Sequence, residues 1–489
     1  MAQMAQMLAL VLLFSASPLI EAVKQGDVQV VRALIKSGAD ARQPDGDGAT
    51  ALHWAAHRDS AELVRLLLDA GAAARAANDL GVTPLHLAAA NGNTAIMKLL
   101  LDKRADANAA AASGVTPLME AARSGSTDAV RLLLASGAQI NARESARGQT
   151  ALMWAVSRQH PDIVKVLIEN HADVHVRTAT RPVMAMLDRG PRRAVKTSAQ
   201  DARQVELGGS TALMFAAQTG SVESARLLLA AGANANDAAG DGKSVLVMAA
   251  FSANTDVAKV LLDAGADPNA AAAGYTALHA AALRGDVALV KALLARGASP
   301  HAMLTKGSPV RRFGSQYSLS TPFTGGTPLA VAAAYLEVGV MRALLEAGAK
   351  ADVRLANGMS ALLLAAGAPM EMEARPSDLV RWNVVDNDTP EIPRSREDAV
   401  AAVKMLLDAG VPIMQTTDAG DTAVHAAASA NEPATIELLV SRGAEINAMN
   451  KAGQTPLSLT LPRKSERGPG FPGYPEAEAM LRKLGAIQQ

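Results

Sequence analysis

The chain of 489 residues contains no cysteine. Disulfides, a lipid-modified N-terminal cysteine and thiolate metal sites are therefore excluded. Aromatic residues are scarce, with 3 Trp, 4 Tyr and 6 Phe in the whole sequence. Net charge is also missing, since 47 Lys and Arg balance 47 Asp and Glu, which argues against a general affinity for nucleic acid or a membrane surface. The apolar run from Met7 to Phe14 is too short for a stable membrane span. No Gly-x-Ser-x-Gly elbow, P-loop or dinucleotide fingerprint occurs.

What the sequence does have is repetition. The tetrad Thr83-Pro84-Leu85-His86 returns in variants that begin at Thr50, Thr116, Thr150, Thr211, Ser244, Thr276, Thr327, Ser360, Thr422 and Thr455. Seven of the ten spacings are 32 to 34 residues; the others are 61, 51 and 62. A fixed period of this size predicts a stacked array of small units, each touching its neighbours, in place of one globular core. Within a unit, Thr83 is a helix N-cap with Pro84 at the first helical position. Small alanines follow, Asn91-Gly92-Asn93 breaks the helix, and a second helix with an apolar stripe runs to about Leu101. Most units close on a glycine, at Gly71, Gly137, Gly232, Gly265, Gly297, Gly348, Gly410 and Gly443, where a left-handed residue ends the helix. Arg104 and His171 stand at that position in two units and predict strained turns.

The tetrad, the Leu-Leu run, the Gly-Ala-Asp-x-Asn close and the period together resemble the ankyrin repeat family. The resemblance implies an all-α repeat fold, an ankyrin-type solenoid of about twelve helix-turn-helix units with short β-hairpin fingers. Ser17-Pro18-Leu19-Ile20 matches the opening of a first unit, and Pro475 to Gly485 the second helix of a last one. The units are expected at 17–46, 47–80, 81–113, 114–147, 148–208, 209–241, 242–273, 274–325, 326–357, 358–419, 420–452 and 453–486. Residues 1–16 read as a signal peptide, because the run Met7–Phe14 is followed by small residues at Ser15-Ala16-Ser17, although the first lysine is only at Lys24; the alternative is an extended N-terminal cap that packs on the first repeat. The expectation is an exported protein, periplasmic or secreted.

The three long spacings are insertions. Two lie after a second helix, at about 178–208 and 302–325, on the finger side. The third, about 368–394, separates the two helices of its unit and should project from the other edge. The first two each carry a net charge of +3, including Arg192, Arg193, Arg311 and Arg312, and the third carries −3. This pattern suggests a partner with an acidic surface, although loop charge also drifts without function. Trp54, Trp154 and Phe215 directly follow the tetrad, with Arg58 and Arg158 four residues beyond the tryptophans. Met248, Phe251 and Tyr335 lie on first helices, and Tyr275 at a finger. In proteins of the resembled family these positions line a concave groove. The aromatic residues are candidate partner anchors, or else they stiffen the stack.

His53, His86, His279 and His425 belong to the tetrad and should bond the backbone of an adjacent finger. His171 and His175 flank a turn and lack the geometry of a zinc pair. No catalytic residue, cofactor or metal is expected. The sequence reads as a non-enzymatic protein-binding scaffold that uses the groove and finger-side loops. An enzyme or small-ligand carrier with a pocket beneath the insertions, and a structural spacer, are the alternatives.

Overall fold

The computed structural model describes residues 17–186, 202–307, 323–368, 395–462 and 473–487. Twelve helix pairs make up these residues, and the helices segregate by contacts into two units. Unit 1 contains Pro18–Gln25 with Val28–Lys36, Ala51–His57 with Ala61–Asp69, Pro84–Asn91 with Thr94–Asp102, Pro117–Ser124 with Thr127–Ala135, Ala151–Ser157 with Pro161–Glu169, and Ala212–Thr219 with Val222–Ala230. Unit 2 contains Val245–Phe251 with Thr255–Asp263, Ala277–Leu283 with Val287–Ala295, Pro328–Ala334 with Val338–Glu346, Ala361–Ala366 with Arg396–Asp408, Ala423–Ser429 with Pro433–Ser441, and Pro456–Thr460 with Pro475–Lys483. Numbered in this order, they are repeats 1 to 12. Ala361–Ala366 and Arg396–Asp408 of repeat 10 flank residues 369–394, where the third insertion is expected and which lie outside the described residues.

Caps set each first helix. Thr116 and Thr150 offer their hydroxyls to the amides of Met119 and Met153 at 3.4 Å. In the histidine-bearing tetrads the ring joins the cap. The Thr50 amide donates to His53 Nδ1 at 3.0 Å, and His53 Nε2 reaches the Val82 carbonyl of the next finger at 3.0 Å. His86, His279 and His425 repeat the arrangement onto Val115, Gly326 and Gln454, so the expected bond from ring to finger is present at all four. These bonds assign the proton to Nε2 of a neutral ring. Burial lowers the pKa of His53 and His86, and that of His279 to about 4, against the opposing hydrogen bonds to carbonyls.

Second helices start on side-chain caps such as Asp27, Ser60, Asn93, Ser126 and Asp286. Each buries one stripe; in Ala61–Asp69 it is Leu63, Val64, Leu67 and Leu68. Burying one such leucine stabilises the stack by roughly 2 kcal/mol. Beyond the helix, asparagines clip one repeat to the next with both ends of the amide. Asn108 donates to Gly137 O at 2.9 Å and accepts from Gln139 N at 2.6 Å, and Asn236 and Asn269 do the same one and two repeats into unit 2. The left-handed turn appears at Arg104 (φ 65°) and His171 (φ 67°), as the sequence predicts. A Cβ at Gly137 would meet nothing within 4 Å, so backbone conformation alone favours glycine there.

The fingers are tighter than the β-hairpins expected. Among the described residues most are turns closed by one or two bonds, with isolated bridges at Pro44–Thr50, Ala238–Ser244, Arg354–Ser360 and Thr416–Thr422. Asp and Asn side chains satisfy the turn amides locally, which leaves little reason for a ladder. Asn78, for example, accepts from Leu80 and Val82. Successive fingers are stitched by backbone bonds, Asp79 N to Asp47 O, Ala112 N to Leu80 O, Ser145 N to Ser113 O and Ala179 N to Arg147 O, at 2.7 to 3.1 Å. The one two-stranded sheet among the described residues lies in the first insertion, where β1 (Arg181–Met186) pairs antiparallel with β2 (Ala202–Leu207), Arg181 opposite Leu207. Gly208 (φ 102°) follows β2, and a side chain there would collide with the Ala179 carbonyl.

Candidate binding surfaces

In unit 1 the residue after each tetrad sits one step beyond the buried cap, so it keeps part of its surface in solvent. Trp54, Trp154 and Phe215 are all half-buried. Trp54 is held on three sides. Its Nε1 donates to Asp45 Oδ2 at 3.1 Å, the Lys24 ammonium lies 4.3 Å from its ring centroid, and His57 meets its edge at 6.1 Å. Partial burial works against the Asp45 carboxylate, but the Trp54 bond, the amides of Ala49 and Asp47 and the charge of Lys24 lower its pKa. Arg58 is exposed, and its guanidinium bonds the Lys24 carbonyl at 2.6 Å, closing the C-terminal end of Pro18–Gln25. Arg158 is exposed and its side chain has no bonded partner among the described residues.

Trp154 differs from Trp54 in one atom's surroundings. Its Nε1 is buried without a hydrogen-bond partner among the described residues. The finger before it is one residue longer, and the buried Glu144 takes the turn amides of Ala146, Arg147 and Gln149. Ser145 falls where Asp45 stands relative to its tetrad. The carboxylate that would answer the indole is thus committed to the turn.

In unit 2, Met248, Phe251 and Tyr335 are half-buried, and Phe251 meets Tyr275 edge-on with centroids 5.3 Å apart. The expectation that Tyr275 presents its ring to a partner is corrected here: the side chain is 0% exposed. A finger position next to a large inward-facing ring is a packing site, and Phe251 fills the other side of it. Its hydroxyl is buried and has no partner among the described residues. Phe323, from the end of the second insertion, is also fully buried and stacks on Tyr335 at 6.1 Å. Arg192, Arg193, Arg311 and Arg312 lie outside the described residues. The sequence alone did not point to Lys24 or Asp45, because they come from the preceding helix and finger and meet Trp54 only in the stack.

Among the described residues no group of three or more His, Cys, Asp or Glu could hold a metal ion. Likewise, no helix there is long and apolar enough to cross a membrane.

Family models for ankyrin repeats match residues 19–111, 104–178, 184–272 and 213–304 as blocks of three copies, and residues 419–451 as a single repeat. Among solved structures, the chain is similar to the human ASB11 ankyrin repeat domain, with 26% sequence identity over 52% of this chain and 100% of that one, at a TM-score of 0.42. No curated protein matches the chain.

Proposed function

The chain belongs to the ankyrin repeat family, whose repeats are generally protein–protein interaction modules, and from that premise we propose a scaffold that holds a protein partner on the first-helix face of unit 1. The observation that carries this reading is Trp54: a large ring, half in solvent, immobilised by Asp45 and Lys24 before any partner arrives. Pre-ordered aromatic anchors lose little entropy on binding and dominate interface energetics. Lys24 is balanced by Asp45, but Arg158, exposed four residues beyond Trp154, leaves a positive charge beside the tryptophan row, which favours a partner with an acidic surface. The arginines of the two basic insertions, Arg192, Arg193, Arg311 and Arg312, extend the same preference. Ankyrin repeat proteins are typically non-enzymatic, and the scaffold reading needs no chemistry.

Export is part of the proposal. Its support is the apolar stretch Met7–Phe14 with small residues after it. Measuring the mass of the mature N-terminus tests it, and a soluble protein that retains Met1 refutes cleavage.

The binding reading is tested by capturing partners from the exported fraction with wild type, Trp54→Ala and Arg158→Ala. The captured partner should bind Trp54→Ala at least ~30-fold more weakly, the effect of a hot-spot residue of about 2 kcal/mol. Neutralising the four insertion arginines should flatten the salt dependence. Undiminished capture by Trp54→Ala, with a lowered melting temperature, assigns the ring to packing and overturns the proposal.

A further inference from the structure

Unit 2 contains a cavity of about 240 Å³ at its finger side, between β2, the fingers of repeats 7 and 8, and the start of the second insertion. Tyr275 forms one wall, and its buried hydroxyl is unsatisfied among the described residues. Such a donor is costly to bury, so it marks a place where an acceptor is missing. Lys306, half-buried, forms another wall. Its position is set by the backbone, because the Thr305 amide donates to Gly274 O at 2.8 Å and the lysine stem lies over Gly274, where a Cβ would collide with it. The Lys306 ammonium has no ion-pair partner among the described residues. The acids are differently placed. Asp241 is already paired with Lys243 at 2.7 Å, and Glu206 is exposed at the rim.

We infer that this cavity is a carboxylate-binding site, in which one oxygen accepts from the Tyr275 hydroxyl and the Lys306 ammonium supplies the opposite charge. The Tyr275 hydroxyl lacks a partner among the described residues, and Lys306, a cation without an ion pair there, lines the same cavity, so the ligand that fits is an anionic acceptor. A single unpaired cation beside the carboxylates of Asp241 and Glu206 suits a singly charged carboxylate better than a doubly charged phosphate. Burial, with the charge of Asp241 adding to it, raises the pKa of the Tyr275 phenol, so that it stays protonated and donates. The carboxylate belongs either to an acidic side chain of a protein partner or to a small free acid. The site does not depend on the tryptophan face of unit 1, and the two proposals can fail separately.

The full chain is titrated with N-acetyl-aspartate methylamide, with succinate, and with N-acetyl-asparagine methylamide as the neutral isostere, reading thermal shift and saturation-transfer NMR. Saturable binding of at least one carboxylate in the ~1 mM range is expected, with the neutral isostere at least ~10-fold weaker. Tyr275→Phe and Lys306→Met should each weaken the carboxylate at least ~10-fold, the size of a lost charge-assisted hydrogen bond. Without ligand, Tyr275→Phe should melt no lower than wild type, since it removes an unsatisfied group. Preference for the aspartyl probe points to a partner side chain, and preference for succinate to a free acid. Equal binding of the isostere, binding indifferent to Tyr275→Phe, no saturable binding of either carboxylate, or a lower melting temperature for unliganded Tyr275→Phe, which would show the hydroxyl satisfied by water alone, each overturns the assignment.

Discussion

The same position in the repeat has opposite fates in unit 1 and in the middle repeats of unit 2, whose first and last repeats keep Met248 and Leu459 half-buried. In repeats 2 to 6, all in unit 1, the residue after the tetrad is half-buried: Trp54, Leu87, Glu120, Trp154 and Phe215. In repeats 8 to 11 of unit 2 it is Ala280, Val331, Leu364 and Ala426, none more than 3% exposed. Whole helices follow suit. All seven residues of Ala277–Leu283 and of Pro328–Ala334 are buried, and so are all six of Ala361–Ala366, whereas Ala51–His57 buries five of its seven. Identical backbone geometry therefore serves as an open face in unit 1 and as core in repeats 8 to 11. The difference teaches that tetrads report stacking, and that the residue after them reports whether the face is available.

The sharpest way to break this comparison is to exchange the two classes. Ala280→Trp forces an indole into a filled site and should destabilise unit 2 by about 3 kcal/mol. Leu87→Trp at the half-buried counterpart should stay within about 0.5 kcal/mol. Urea titration with hydrogen exchange distinguishes the units, and equal costs would show that the contrast is not energetic.

Acid provides the next test. The His279 pKa falls from 6.5 to about 4 in the folded chain, so between these values the unfolded chain takes up a proton that the folded one refuses. Stability is therefore full above pH 6.5 and declines as pH falls toward 4, by about 3 kcal/mol from this residue. His53 and His86 add losses of the same sign in unit 1. His279→Met should remove the largest part of the slope in unit 2, since Met119, Met153 and Met214 already occupy the same tetrad position buried. A slope unchanged in this variant would mean that other groups govern it.

The two tryptophans give a finer contrast inside unit 1. Trp54→Phe loses the bond to Asp45 and should cost about 1 kcal/mol, while Trp154→Phe removes an unsatisfied N–H and should be neutral or stabilising. Calorimetric melting of both variants checks this, and matching losses would contradict the assigned difference. Smallest of all, Arg104→Gly relieves a left-handed side-chain residue and should stabilise by about 0.5–1 kcal/mol. Destabilisation would reveal a contact made by the Arg104 side chain.

Much of the fold was legible because its signals are local. Thr83-Pro84 announces a cap and a first turn, Gly137 a helix end, and the spacing of His53 from Thr50 a ring that can reach its own N-cap amide. Arg104 and His171 were readable as strained for the same reason, since the other ten repeats, with Gly38 and Gly485 at the two ends, place glycine in that register. The site was less legible. Trp54 was visible as a candidate, but the charges that hold it, Lys24 and Asp45, come from other segments and carry no mark of their own. Tyr275 reads as a candidate partner contact at a finger, because sequence position does not say which side of a turn faces the stack. The extended turn before Thr150, with Glu144 in place of an Asp45 equivalent, was hidden in a single extra residue.

The amino-acid sequence by itself determined the period, the helix caps and the left-handed turns, because each follows from backbone chemistry within a few residues. Only the tertiary structure decided which large side chains face solvent. Exposure depends on what the neighbouring repeats place opposite, and that is why Trp54 stands half open while Tyr275 is enclosed with its hydroxyl unanswered.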